Sequence, residues 1–283
     1  MSHLCSPIDL HCHSTASDGT LKPSDVIKLA HENGVKHISL TDHDTIGGLE
    51  EATYCGASLG VNVIPGVEFS ARWNNQGIHI LGLNFNRTSP IISAAVTRQE
   101  DSRFIRAQAI ADRLSKKGFE GVYESALEYS SGQAPGRPHV AAAMVEKGYV
   151  SNVSAAFKKY LGAGKMGDVR SVWPELEEVV QWIVNAKGVA VIAHPRKYNM
   201  TVTKLRSLIE DFKEYGGEGL EVITSGQKQG EIGLLADLCS RYGLKGSLGS
   251  DFHSPTQPWV KLGAIPLLPK SVIPIWSEWG LSF

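Results

Sequence analysis

Cysteine is scarce in this sequence: Cys5, Cys12, Cys55 and Cys239 are the only four in 283 residues, and no two of them form a CxxC pair. That scatter excludes a disulfide scaffold and a thiolate zinc site, and it fits a reducing cytoplasm. An excess of one charge is also missing, since 28 Lys and Arg face 29 Asp and Glu, for a formal net charge of −1. No global field therefore recruits nucleic acid, and a phosphate-rich ligand must be held by a local set of residues. No apolar run approaches membrane-spanning length. The start, "MSHLCSPID", lacks both the basic and the apolar regions of a signal peptide, so no membrane association is expected. Internal repeats and low-complexity linkers are absent too, and nothing points to an obligatory protein partner. What remains is ordinary globular composition, 42% hydrophobic and 20% charged, long enough for a substantial core.

Short apolar runs alternate with helical patterns. "PIDLHCH" reads as a strand, "KPSDVIKLAHENG" as a helix with Pro23 in its first turn, and "VKHISLTDHD" as the next strand. A helix "TIGGLEEATYCGASLG" and two strands, "VNVIPGVEFS" and "IHILGLNF", follow. From about Ser102 to Val172 only helical signals occur, among them "DSRFIRAQAIADRLSKKG" and "RPHVAAAMVEKG". Alternation then resumes through the strands "VAVIAHP", "LEVITS" and "KGSLGSDFH". The expected class is α/β with a mostly parallel sheet, open or closed into a barrel. The expected organisation is a barrel over 1–100 and 174–283, interrupted by a helical insertion over 101–173.

The ionisable residues gather at strand ends. His11 and His13 close the first strand, with Asp18 just beyond. His43, Glu68, His194, Asp251 and His253 close later ones, and His79 opens the fourth. In α/β folds the loops beyond the carboxyl ends of strands converge on the site. Residues two apart on a strand face the same side, so His11 and His13 can grip one ion while Cys12 points away. Any one of these histidines, taken alone, would be a satisfied core or surface residue. Their recurrence at strand ends favours a metal centre. Nine donors exceed the roughly four to six that saturate one ion, so two or three ions are implied. Imidazole and carboxylate without thiolate suit Mn²⁺, Fe²⁺ or Zn²⁺. His3, His31 and His37 are read as structural, and Asp42 as either orienting a ligand or ending its strand.

The segments "DLHCHSTASDG", "LTDHDT", "PGVEFS", "IHILGL", "AHP" and "GSDFH", in this order, resemble the signature motifs of the PHP (polymerase and histidinol phosphatase) superfamily. The insertion "GRPHVAAAMVEKGYV…VSAAFKKYLGAGK" is similar to that of the TrpH/YciV-type phosphoesterases, a branch acting on nucleotide 3′,5′-bisphosphates and, as 5′→3′ exoribonucleases, on short RNA. The resemblance implies a distorted (β/α)7 barrel with an inserted small helical subdomain and three divalent ions, Mn²⁺ foremost. It also implies the ligand sets: His11, His13, Glu68 and Asp251 for the first ion; Glu68, His79 and His194 for the second; Asp18, His43 and His253 for the third. Two departures stand out. Cys12 sits where Ser or Thr is usual, and "MGDVRSVWP" follows Lys165 in place of a tyrosine- and proline-rich turn.

The chemistry expected is phosphate ester hydrolysis by a metal-activated hydroxide, with His194 or Asp251 assisting proton transfer. Arg137, His139 and Lys165 of the insertion, with Arg196 after the "AHP" strand, are the candidate grip on a non-scissile phosphate, and solvated helix ends are the plainer reading. The expected partner is a nucleotide 3′,5′-bisphosphate or the 5′ end of short single-stranded RNA. A histidinol-phosphatase-like monoesterase, a metal-dependent C–N hydrolase and a domain without turnover are the competing readings. Trp259, Trp276, Trp279 and Phe283 form an aromatic tail expected to pack on the barrel.

Overall fold

The computed structural model describes residues 6–257 and 259–282. The chain divides into two compact units, one comprising 1–73, 77–96 and 174–283, the other 74–76 and 97–173. His3 and Phe283 lie outside the described residues.

The first unit holds a nearly closed, barrel-shaped sheet. Its strands lie side by side in chain order: β1 (Ile8–Cys12), β2 (His37–Leu40), β3 (Asn62–Trp73), β4 (Gln76–Leu83), β5 (Val189–Ile192), β6 (Gly219–Thr224) and β7 (Lys245–Gly249). Neighbours pair in parallel from β1 to β3 and from β5 to β7, whereas β4 runs antiparallel to β5. The reversal comes from a two-residue turn after β3, where Asn74 and Asn75 take φ of 46° and 60°. Asparagine tolerates this left-handed region, which suits a tight hairpin. The ring is completed where the end of β1 meets the segment after β7: the His13 amide donates to Phe252 O at 2.8 Å and the Asp251 amide to His11 O at 2.8 Å. Gly249 makes that approach feasible, because a Cβ there would lie 2.2 Å from His11 Cβ.

Helices cover the outside, α2 (Leu49–Leu59) and α7 (Leu176–Asn185) among them. In α1 (Pro23–Glu32), Val26, Ile27 and Ala30 are buried. In α8 (Val202–Glu214), Leu205, Leu208, Ile209 and Phe212 recur at helical spacing on the buried face, and the Thr201 hydroxyl caps the start by accepting the Lys204 amide at 3.2 Å. With helices outside and side chains inside, β1, β2 and β6 are buried along their whole length. The tail behaves less uniformly than expected: Trp276 and Trp279 pack on the core, but Trp259 is 74% exposed.

The second unit is helical. Helix α3 (Pro90–Ser115) begins well before the expected boundary at 101 and runs straight through it. Its second half joins α4 (Val122–Tyr129), α5 (Arg137–Glu146) and α6 (Val153–Ala156), the last continuing as a π-helical turn over Phe157–Leu161. Ile110, Leu114, Val122, Val140, Met144 and Leu161 form a separate core.

A carboxylate with no part in the metal-facing surface ties the barrel shut. Asp9 on β1 is fully buried and accepts the Ser250 amide at 2.8 Å, the Gly263 amide at 2.9 Å and the His11 amide at 3.3 Å. Asp9→Ala leaves these donors unsatisfied at about 1–3 kcal/mol each. A lowered denaturant midpoint, measured on the metal-free chain, is the expected result. A midpoint equal to that of the unaltered chain refutes the role.

Candidate metal centre

The strand ends bring all nine expected donors together. They fall into four overlapping groups whose ligand atoms lie within 4.8 Å of one another: His13, Asp18, His43 and His253; His11, His194 and Asp251; His11, His13 and Glu68; His43, Glu68 and His79. Glu68 is the hub. Its Oε1 lies 2.8 Å from His79 Nδ1 and 2.9 Å from His194 Nε2. Its Oε2 lies 2.9 Å from His43 Nδ1, 3.3 Å from His13 Nε2 and 3.4 Å from His11 Nε2. Asp251 Oδ1 stands 3.3 Å from His13 Nε2 and 3.4 Å from His11 Nε2. Asp18 reaches His253 Nε2 at 3.3 Å and His43 Nε2 at 3.8 Å.

Most of these positions are not strictly strand ends: Glu68 lies within β3, His13, Asp18, His43 and His253 lie in the loops beyond β1, β2 and β7, and the other three departures each have a structural reason. His79 opens β4, but β4 is the reversed strand, so its start lies at the same end as the C-termini of its parallel neighbours; the Ala193 amide donates to His79 O at 3.1 Å. His194 and Asp251 lie past the ends of β5 and β7, where the sequence reading had let the strands continue. There the chain turns sharply, with φ of 26° at His194 and 54° at Asp251. Left-handed backbone at non-glycine residues is strained and tends to cluster at functional sites.

The donor set fits divalent cations. It consists of nitrogen and oxygen only, and Glu68 Oε2, fully buried and close to three imidazoles, has no aligned hydrogen-bond partner. Electrostatics agrees. Burial would raise the Glu68 carboxyl, but His43, His79 and His11 outweigh it and hold the group well below the usual carboxylate range. Burial is likewise outweighed at Asp18 by His43 and His253, and at Asp251 by His11 and Lys197. Burial, with His253 and His43, pushes His13 down to about 3; burial takes His79 down to about 4 against the pull of Glu68. His253 goes the other way, to about 9, because Asp18 overcomes the burial. Ionised carboxylates thus sit beside neutral His13 and His79, which are ready to ligate, and a cation displaces the extra proton of His253 on binding.

A supporting layer went unread in the sequence. Glu221 on β6 is fully buried; its Oε1 lies 2.9 Å from His11 Nδ1 and its Oε2 accepts the His194 amide at 2.6 Å. With Nδ1 engaged, His11 turns Nε2 toward the cluster. The β6–β7 register shifts just after Glu221, a bulge that re-aims the side chain. Lys197 pairs through Nζ with Asp251 Oδ2. Asp42 resolves its two readings: it accepts the Ser14 amide and the hydroxyls of Ser14 and Ser17, each at 2.7 Å, and so shapes the loop carrying Asp18. A charged residue inside an apolar strand, as in "LEVI", was the signal for Glu221. Nothing local marked Lys197.

The proposed phosphate grip is dispersed along the chain. In the second unit, Arg137 opens α5 and donates from Nη1 to Leu161 O at 3.1 Å, while His139 Nδ1 accepts the Gly136 amide at 3.1 Å. Lys165 is exposed. In the first unit, Arg196 follows His194 on a 3₁₀ turn, Pro195–Tyr198, its Nε 3.4 Å from Glu231 Oε1.

A barrel that turns buried carboxylates and imidazoles toward one point is the framework of a metal-dependent hydrolase. The PHP domain family matches residues 9–238, and the chain belongs to that family. A 5′-3′ exoribonuclease of Haemophilus influenzae is 43% identical over 95% of this chain and 98% of its own. A 3′,5′-nucleoside bisphosphate phosphatase of Chromobacterium violaceum is 38% identical over 96% of this chain and 95% of its own. Among solved structures, an amidohydrolase from Chromobacterium violaceum with bound sulfate and no metal superposes with a TM-score of 0.89, at 38% identity over 96% of this chain and 95% of that one. A metal-dependent phosphoesterase from Bifidobacterium adolescentis gives 0.78 at 26% identity, covering 95% of this chain and 92% of that one.

Proposed function

We propose that this chain is a metal-dependent phosphoesterase that removes the 3′-phosphate of nucleotide 3′,5′-bisphosphates and releases 5′-nucleotides stepwise from short single-stranded RNA. The observation that carries the reading is the set of donors gathered around the buried, hydrogen-bond-deficient Glu68. The exoribonuclease and bisphosphate phosphatase relatives, aligned over nearly the whole chain, supply the substrate class. One chemistry serves both substrates, since each presents a 3′-ester next to a nucleoside 5′-phosphate.

Three ions are proposed, Mn²⁺ first, in the ligand sets given above. When bound, such ions lower the pKa of a coordinated water, clamp phosphoryl oxygens and stabilise the leaving alkoxide. His194 and Asp251 stand at the edge of the cluster, and one of them carries the proton to the leaving oxygen. Arg137, His139, Lys165 and Arg196 are proposed to hold the non-scissile phosphate. Among the described residues no helix is long and apolar enough to cross a membrane, and Cys12, Cys55 and Cys239 are free and buried, which supports a cytoplasmic location.

Product analysis with Mn²⁺ tests the activity. Adenosine 3′,5′-bisphosphate should give AMP and phosphate, and a 5′-phosphorylated oligoribonucleotide should give 5′-mononucleotides one at a time. Turnover of amides without any phosphate release would instead select the C–N hydrolase reading, to which the amidohydrolase neighbour lends a name. Asp18→Ala should reduce manganese content by one ion per chain, read by elemental analysis with folding monitored in parallel; undiminished content refutes the third ligand set. Arg137→Ala should raise KM for the bisphosphate about tenfold, the loss expected for one charge-assisted contact. An equal effect on adenosine 3′-monophosphate would remove Arg137 from the grip.

A further inference from the structure

Antiparallel strands close a hydrogen-bonded pair with two reciprocal bonds. The register that sets Ile80 opposite Ile192 continues to His79 opposite Ala193, and there one of the two bonds is made directly: the Ala193 amide donates to His79 O at 3.1 Å. A side chain takes the place of the other. The His79 amide donates to Tyr198 Oη at 2.8 Å, and that hydroxyl donates onward to Ala193 O at 2.8 Å. His79 O, 3.3 Å from the same oxygen, is a second and longer acceptor. The phenol oxygen thus stands where an N–H···O bond would close, and it wedges β4 and the end of β5 apart on that side.

Tyr198 reaches this place by local geometry. Pro195–Tyr198 is a single 3₁₀ turn, closed by the Lys197 amide on His194 O at 2.9 Å, and it brings the tyrosine back over the strand end that the chain has just left. Its ring meets the His194 ring edge-on, 5.4 Å between centroids and 66° between planes. His194 needs that contact. Metal-ligating imidazoles are usually oriented by a hydrogen bond at the nitrogen turned away from the ion, as Glu221 does for His11, yet the buried Nδ1 of His194 has no hydrogen-bond partner. On the cluster side of the wedge, His79 Nδ1 and His194 Nε2 converge on Glu68 Oε1 at 2.8 and 2.9 Å, with 5.3 Å between the two ring centroids.

We infer that Tyr198 is a positioning residue for the second ion. Its hydroxyl sets the spacing of the two backbones that carry His79 and His194, and its ring sets the rotation of His194. The inference rests on the metal-dependent reading of the site and adds to it a residue outside the nine donors. Without the hydroxyl, the His79 amide and Ala193 O either close to an ordinary ladder bond or stay unsatisfied, and each change moves the two imidazoles relative to Glu68. Phenylalanine keeps the ring against His194, so that substitution isolates the wedge.

Calorimetric titration of the metal-free full chain with Mn²⁺ is the test. Tyr198→Phe should weaken one bound ion about 10–100-fold, the range for residues that orient ligands, and leave the others unchanged. For adenosine 3′,5′-bisphosphate, kcat should fall at limiting Mn²⁺ and recover in excess Mn²⁺, with KM unmoved. A double-mutant cycle with His79→Ala adds a readout that simple destabilisation would not move: once the second set has lost a ligand, Tyr198→Phe should cost no further Mn²⁺ affinity. Three results overturn the inference and leave the metal centre standing: unaltered binding of every ion by Tyr198→Phe, equal weakening of all of them, or additive losses in the cycle. An unaltered chain that takes up no Mn²⁺ overturns the metal-dependent reading itself, and the inference with it.

Discussion

Glu68→Ala lowers kcat/KM for adenosine 3′,5′-bisphosphate by at least about 10³-fold, and does so without unfolding the barrel. Glu68 touches five of the six clustered imidazoles, His11, His13, His43, His79 and His194, and is the carboxylate common to two of the donor groups. Without it those rings keep no shared anion. Burial, with His253 and His43, already lowers His13, so the rings alone offer a buried cation no compensating charge. Metal ions contribute several kcal/mol to phosphoryl charge stabilisation, and about 4 kcal/mol corresponds to a thousandfold in rate. Metal content measured alongside the rate separates the causes, since ions and activity should be lost together. Retained activity with a full metal complement would show that Glu68 is not the hub.

Glu221→Ala should weaken Mn²⁺ binding about 10–100-fold, the range for residues that orient metal ligands. The side chain makes two bonds at once, to the ring of His11 and to the amide of His194. The second bond pins a residue whose φ of 26° the chain would not adopt unaided. Removing Glu221 frees the His11 ring to rotate and lets the His194 turn relax, so ligands assigned to two different ions are disturbed by one substitution. Glu221→Gln should fall between, because its amide group meets one of two N–H donors unfavourably. Calorimetric titration with Mn²⁺ decides the matter, with thermal unfolding of the metal-free variants as the control. Affinities unchanged in both variants would reduce Glu221 to a packing residue.

Much of the centre could be read along the chain because its chemistry is local in each motif. His11 and His13 share a face by the two-residue repeat of a strand, and "GSDFH" carries two donors within three positions. The helices were legible from their apolar spacing and caps, as α8 illustrates with Thr201 and the Leu205–Phe212 face. Other features depend on partners far away in sequence. Asp9 looks like any strand residue until Ser250 and Gly263 arrive from the other end of the chain. The hairpin that reverses β4 explains His79, which looked misplaced at the start of a strand. Trp259 shows the converse, an aromatic that pattern reasoning would bury and the fold leaves in solvent.

The sequence by itself determined the α/β class and offered the nine candidate donors, since residue type and strand periodicity indicate both without reference to distant contacts. The tertiary structure decided which carboxylate sits at the centre, which buried acid steadies two ligands, and where a tyrosine hydroxyl enters the strand ladder. The physical reason is that hydrogen-bond satisfaction and desolvation are properties of a packed neighbourhood. Barrel closure, through Gly249 against His11 and Asp9 against Ser250, creates that neighbourhood only when both ends of the chain have met.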